Sequence, residues 1–245
     1  MGGARTAVEV AQLEHVLREQ WLRLRAWLAE LDDAVLAAPS VLAGWTVEDL
    51  VAHVGRSMDA LAVCQPAEPG AVPLTLGEYV ATYGASATET EEATRAFARE
   101  ITGDRLHALD GRAARAFEQL LTLRDLDADP VVRARRGPIR LSEMIVSRLV
   151  ELVVHGDDLV RSLPRPATTW SGPLLPEAVH LVSEALLEVL HDRGGESVEV
   201  LEELPWIRLA CGRTPYDVGT VAAALRPTYT SDGLPDLGAR LPLVG

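Results

Sequence analysis

Apolar residues recur at threes and fours through Val10, Leu13, Val16, Leu17, Trp21, Leu24, Trp27, Leu28 and Leu31. That spacing keeps one face of a 3.6-residue helix apolar, and it predicts a long amphipathic helix over 6–38 that stops near Pro39. In GWTVEDLVAHVGRSMDAL, Thr46 stands three residues before Asp49 and ahead of the series Val47, Leu50, Val51, Val54, Met58 and Leu61. This capping-box pattern predicts a second helix over 47–63, with His53 on the face of Asp49 and Arg56. QPAEPGAVP at 65–73 reads as a Pro/Gly-rich surface loop. A third helix is expected over 75–101 and another over 105–123, with Gly111 as a breaking point, and DLDADPVVRARRGP at 125–138 reads as a loop.

The stretch SEMIVSRLVELVVHGDDLVRSLP at 142–164 has a different pattern. Ile145, Val146, Leu149, Val150, Leu152, Val153, Val154, Leu159 and Val160 cover nearly every direction around it, and a helix apolar almost all round is a buried one. Its polar residues Arg148, Glu151, His155, Asp158 and Ser162 fall on a single stripe. The stripe is either the one solvated face of the helix or a polar seam facing inward, and periodicity does not choose between them. On the first reading Arg148–Glu151 and His155–Asp158 are surface pairs, each worth a few tenths of a kcal/mol. On the second, Glu151 and His155 are two potential metal ligands one turn apart that reach a common point.

Helices joined by polar connections, none of them strand-like, predict an up-and-down helical bundle to about residue 165. The pattern then changes to a linker at 164–173, a helix over 176–191 with Pro176 in its first turn, and strand alternation in SVEV. WIRLACG reads as a strand or short helix, PTYTS as a strand, and DVGTVAAAL and LPDLGARLPLV as helical. The expectation is a mainly α chain: a four-helix bundle over 1–165 followed by a small α+β domain over 166–245.

Composition narrows the partners. The 245 residues are 48% hydrophobic and 24% charged, as in a soluble globular protein. A net charge of -13 repels phosphate backbones and anionic lipid, and the short RARR at 133–136 does not offset it. No nucleic-acid or membrane partner is expected. The lack of an N-terminal apolar h-region and of any apolar run of membrane-spanning length predicts a soluble, cytoplasmic protein. Cys64 and Cys211 are too few and too far apart for a disulfide scaffold or a metal knuckle. All 23 basic residues are arginine, which excludes a Schiff-base or P-loop lysine.

GWTVEDLVAHV on the second helix, followed about a hundred residues later by VELVVHGDDL, resembles the N-terminal domain of the mycothiol-dependent maleylpyruvate isomerase family, a branch of the DinB-like metal-binding four-helix bundles. In that family a histidine on the second helix and a Glu-x-x-x-His pair on the fourth bind one divalent metal. The resemblance therefore implies His53, Glu151 and His155 as ligands, with Zn2+ as the metal and mycothiol as co-substrate. VEVLEELPWIRLACGRTP and the closing LPLVG resemble the small sterol-carrier-like domain that often follows this bundle.

Two imidazoles and one carboxylate leave a divalent metal with an open position, as in catalytic zinc. A thiol bound there is deprotonated, and the thiolate is the nucleophile. Neither cysteine lies in a ligand motif, so the thiol is expected from outside. Asp158 and Asp49, each one turn from a ligand histidine, are candidates to fix the imidazole tautomers. Arg56 and Arg148 are candidates to hold a substrate carboxylate, and Arg208 and Arg213 to close over the site from the tail. The expected function is a metal-dependent thiol transferase or isomerase acting on an electrophilic small molecule. A non-catalytic apolar-ligand carrier and a hydrolase using bound hydroxide are the alternatives.

Overall fold

The computed structural model describes residues 4–101, 103–163, 172–194, 197–229 and 233–244. The linker expected at 164–173 lies, up to residue 171, outside these, as do Thr230 and Ser231 of PTYTS.

The first helix, α1 (Ala7–Leu28), is closed at its N-terminus by a Thr6/Glu9 capping box. It ends earlier than the periodicity suggests. Asp32 accepts from the Val35 amide and starts a separate turn, α2 (Asp33–Leu36). The expected second helix is likewise two pieces, α3 (Val47–Ser57), opened by the Thr46/Asp49 box, and α4 (Asp59–Ala62). The break falls where the Ser57 carbonyl accepts from Arg148 Nη1 at 2.6 Å. The expected third helix is divided as well, into α5 (Leu76–Ala81), a 3-10 turn at Gly84–Ser86, and α6 (Ala87–Glu100). Helix α7 (Arg105–Arg124) runs unbroken through Gly111.

The loop expected at 125–138 is a correction. Val131–Ala134 (β2) and Gly137–Arg140 (β3) form an antiparallel hairpin, and β2 also pairs with β1 (Gln65–Pro66). Ala134 pairs with Gly137, so Arg135 and Arg136 form the two-residue tip, and Gly137 takes a φ of +137 that a side chain disfavours. The tip lacks the Asn-Gly or Asp-Gly pair that marks such hairpins in sequence.

Helix α8 (Leu141–Ser162) is the central element and packs against α1, α3 and α5. Its Met144, Ile145, Leu149, Leu152 and Val153 are wholly buried, and the lengths of α1, α3, α7 and α8 make the bundle. Burial of such side chains contributes roughly 1.5–3 kcal/mol each. Among the described residues no helix is long and apolar enough to cross a membrane.

After the bundle come α9 (Pro176–Asp192), with Pro176 in its first turn, β4 (Val198–Val200), α10 (Glu203–Ala210), α11 (Val218–Ala224) and β5 (Leu225–Pro227). WIRLACG is therefore helical: Trp206 is fully buried and its Nε1 donates to the Ser183 carbonyl of α9 at 3.0 Å. The last strand is Leu225–Pro227, paired with β4, and not PTYTS. LPDLGARLPLV is not helical, because Pro235 and Pro242 lack amide donors. Helix α9 packs on α8, α1 and α5, so one apolar cluster runs from the bundle into the C-terminal segment. Arg208 reinforces the junction, gripping Asp157 of α8 through both carboxylate oxygens at 2.8 and 2.6 Å.

Candidate metal centre

The polar stripe of α8 faces inward. Asp158 is fully buried and Arg148 is 4% exposed, which overturns the reading of the stripe as a solvated face. Helix α3 packs against α8 and brings His53 opposite the stripe. His53 Nε2 lies 3.2 Å from Glu151 Oε2, and His155 Nε2 lies 3.4 Å from the same oxygen. One ligating atom from each of the three residues falls within 4.8 Å of the other two.

The outward ring nitrogens are also engaged. His155 Nδ1 is 3.1 Å from Asp158 Oδ2, a carboxylate placed to accept from Nδ1–H, so Nε2 faces the cluster. His53 Nδ1 is 3.4 Å from Thr94 Oγ1, which accepts from Arg56 Nη1 at 2.7 Å and has a further lone pair for the imidazole proton. The ring of Trp45 stands edge-on to His53 at 5.5 Å.

Charge follows this geometry. Burial works against the Glu151 carboxylate, but hydrogen bonds from His155 and His53 and the Arg148 charge outweigh it and hold Glu151 well below the usual carboxylate range. Burial and the neighbouring His155 push His53 down, so it favours the neutral imidazole a metal needs. Burial also opposes the charged form of His155, yet its bonds to Asp158 and Glu151 raise it. Two imidazoles and an ionised carboxylate that converge on one point are a donor set able to hold a divalent cation.

The cluster lies between two cavities. One, of about 410 Å³, is lined by Arg56, Arg133, Arg135, Arg136 and Arg148 among others. The other, of about 360 Å³, is more apolar and is lined by Leu42, Trp45, Val150 and Val154, with Cys211, Arg213 and Val244 from the C-terminal segment.

The remaining expected residues divide by what holds them. Arg56 lines the first cavity but spends Nη1 on Thr90 O and Thr94 Oγ1. Arg148 is committed to the protein through Ser57 O, Ser147 Oγ and Tyr83 Oη. Arg148 also lines the first cavity, with its guanidinium holding Tyr83. Arg213 reaches Asp158 with Nε at 3.0 Å and lines the second cavity beside the cluster, while Arg208 is taken up by Asp157. Asp49 is not behind His53, because its carboxylate accepts from Thr46 in the capping box. Thr94, Tyr83 and Arg136 were outside the sequence-based set. Thr94 sits in the polar run ATETEEATR, where nothing in the local pattern distinguishes it from its solvated neighbours.

Fold and cluster together define a mainly α protein built around a half-buried His/Glu/His cluster on facing bundle helices. The family model described as the mycothiol maleylpyruvate isomerase N-terminal domain matches residues 17–160, and the chain belongs to that family. Among solved structures, one described as the crystal structure of the mycothiol-dependent maleylpyruvate isomerase is similar at 18% identity and a TM-score of 0.49, over 76% of this chain and 72% of that one. No curated protein matches the chain. The family match stops at residue 160, so the carrier-like resemblance of the C-terminal segment lies beyond it.

Proposed function

We propose that this chain is a metal-dependent thiol transferase or isomerase of the mycothiol type, which activates an external low-molecular-weight thiol for attack on an electrophilic small molecule. The observation that carries the reading is the convergence of His53 Nε2, His155 Nε2 and Glu151 Oε2 between two cavities. Membership of the family supports mycothiol as the co-substrate. His53, Glu151 and His155 would hold the cation, which would supply the acidity that makes a bound thiol a thiolate.

The chain's own residues supply the rest. Glu151 stays ionised at neutral pH, Asp158 fixes the His155 tautomer, and the second cavity offers apolar walls to the electrophile. An internal thiol is a poor substitute. Both cysteines are buried, and burial pushes Cys64 up to about 11 and Cys211 to about 12, so neither is a thiolate at neutral pH.

The proposed organisation is a bundle over 1–165 and a C-terminal α+β unit over 166–245 that helps to close the site. Cys211, Arg213 and Val244 on the wall of the second cavity support a closing role over that of an independent carrier. A reducing cytoplasm, where such thiols accumulate, is the proposed compartment.

The test compares the parent with His155→Ala for bound metal, helical content and turnover of electrophiles with mycothiol added or omitted. His155→Ala should lose the metal and nearly all turnover while helical content survives, because the apolar faces of α8 are untouched. Equal turnover by the parent without thiol would favour a hydrolase. Apolar-ligand binding unaffected by the substitution, with no turnover at all, would favour a carrier.

A further inference from the structure

Five side chains line both cavities: His53, Glu151, Tyr83, Thr90 and Arg136. Two of them belong to the cluster. The other three therefore stand where a molecule held at the cluster meets one arriving from either side, and Tyr83 brings a phenol to that junction.

The phenol is held in an unusual way. Tyr83 Oη accepts from Arg148 Nη2 at 2.7 Å, and among the described residues this is its one hydrogen-bond partner. A guanidinium carries donors only, so the phenol meets it with a lone pair and its own O–H is left unspent. Arg148 is itself anchored, with Nη1 on Ser57 O at 2.6 Å and Nε on Ser147 Oγ at 3.3 Å. The Tyr83 ring is fixed from two sides, by the Arg136 guanidinium 4.8 Å above its centroid and by the edge of Tyr79 at 6.1 Å. A donor held in place, polarised by a buried cation and set on the wall of both cavities, is the preorganised element that stabilises developing negative charge.

We propose that Tyr83 is a catalytic residue whose hydroxyl donates a hydrogen bond to the oxygen of a carbonyl-activated electrophile and stabilises the oxyanion formed when sulfur adds. The inference rests on the thiol-addition reading above. In this step the thiolate lone pair forms the C–S bond, and the π electrons of the electrophile move onto its carbonyl oxygen. That oxygen takes the negative charge, and the proton stays on the phenol while the hydrogen bond strengthens. Burial pushes the Tyr83 hydroxyl above the ordinary phenol range despite the Arg148 charge, in keeping with a donor and not a base.

The experiment uses the zinc-loaded full chain, with Tyr83→Phe compared to the parent on an α,β-unsaturated ketone and on an alkyl halide, each with mycothiol present or omitted. On the ketone, kcat should fall about 100-fold, within the range for loss of one oxyanion donor. The KM for the thiol and the metal content should match the parent, since phenylalanine keeps the ring contacts, while the melting temperature should fall modestly because Arg148 Nη2 loses its acceptor. The alkyl halide, whose displacement builds no oxyanion, should react at the parental rate. A ketone kcat within twofold of the parent, or an equal loss on both electrophiles, would overturn the role of Tyr83. Ketone turnover by the parent that needs no thiol would sink the thiol-addition reading alone. The phenylalanine comparison would then still read the same oxyanion as it forms on hydroxide addition. A parent inactive on both electrophiles would overturn both.

Discussion

Asp158 Oδ2 lies 3.1 Å from His155 Nδ1 and 3.0 Å from Arg213 Nε, so a single buried carboxylate joins a histidine of the cluster to the C-terminal segment. The segment outside the family match is thereby coupled to the cluster, although among the described residues it contributes no ligating atom to it.

If Asp158 fixes the His155 tautomer, Asp158→Asn should weaken zinc binding by about 10–100-fold, the usual effect of removing a group that orients a ligand histidine. Competition with a chelator measures it. Arg213→Gln should weaken binding in the same direction but less, and the double variant should lose less than the sum, because Arg213 acts through Asp158. Zinc affinity within twofold of the parent in Asp158→Asn would remove Asp158 from this role.

The cysteines make a prediction about pH. Burial raises Cys64 from 9.0 to about 11 and Cys211 from 9.0 to about 12, so both thiols are harder to ionise folded than unfolded. Stability from this source is complete below pH 9 and is lost as pH rises through about 11 and 12. A thiol reagent at pH 8 should find neither cysteine in the native protein and both after denaturation. Cys64→Ala with Cys211→Ala should retain thiol-dependent turnover and flatten the alkaline loss of stability. Rapid labelling of the native chain would contradict this account.

Gly55 lies two residues past His53, where α3 meets α7. A Cβ built there comes 2.8 Å from Leu109 Cγ, closer than two carbons can pack. Gly55→Ala should destabilise by about 1–3 kcal/mol, as overpacked core sites do, in spite of the better helix propensity of alanine. Denaturant titration checks the sign. A stabilised variant would mean that the two helices separate freely at this point.

What was legible in the sequence was what local geometry enforces. Glu151 and His155 share a face because any α-helix places i and i+4 together. Thr46 and Asp49 close α3 because a capping box needs only four consecutive residues. His53 joined that pair through the resemblance of two motifs about a hundred residues apart, and the family match over 17–160 bears that family out. Short apolar runs were harder. WIRLACG satisfies a strand and a helix equally by pattern, and only the pocket that α9 offers Trp206 makes it helical.

By itself, then, the sequence determined the helical periods, the caps and the single polar stripe on an otherwise apolar helix, all of which arise from interactions within a few residues. Tertiary structure decided which way the stripe faces and what each polar group on it holds. It turned Asp49 back into its own cap, spent Arg148 on Ser57 and Tyr83, and set Thr94 behind His53 from 41 residues away. The physical reason is that a buried polar group must find a partner wherever the packed chain supplies one, and nothing in the spacing along one helix records which distant carbonyl or hydroxyl that will be.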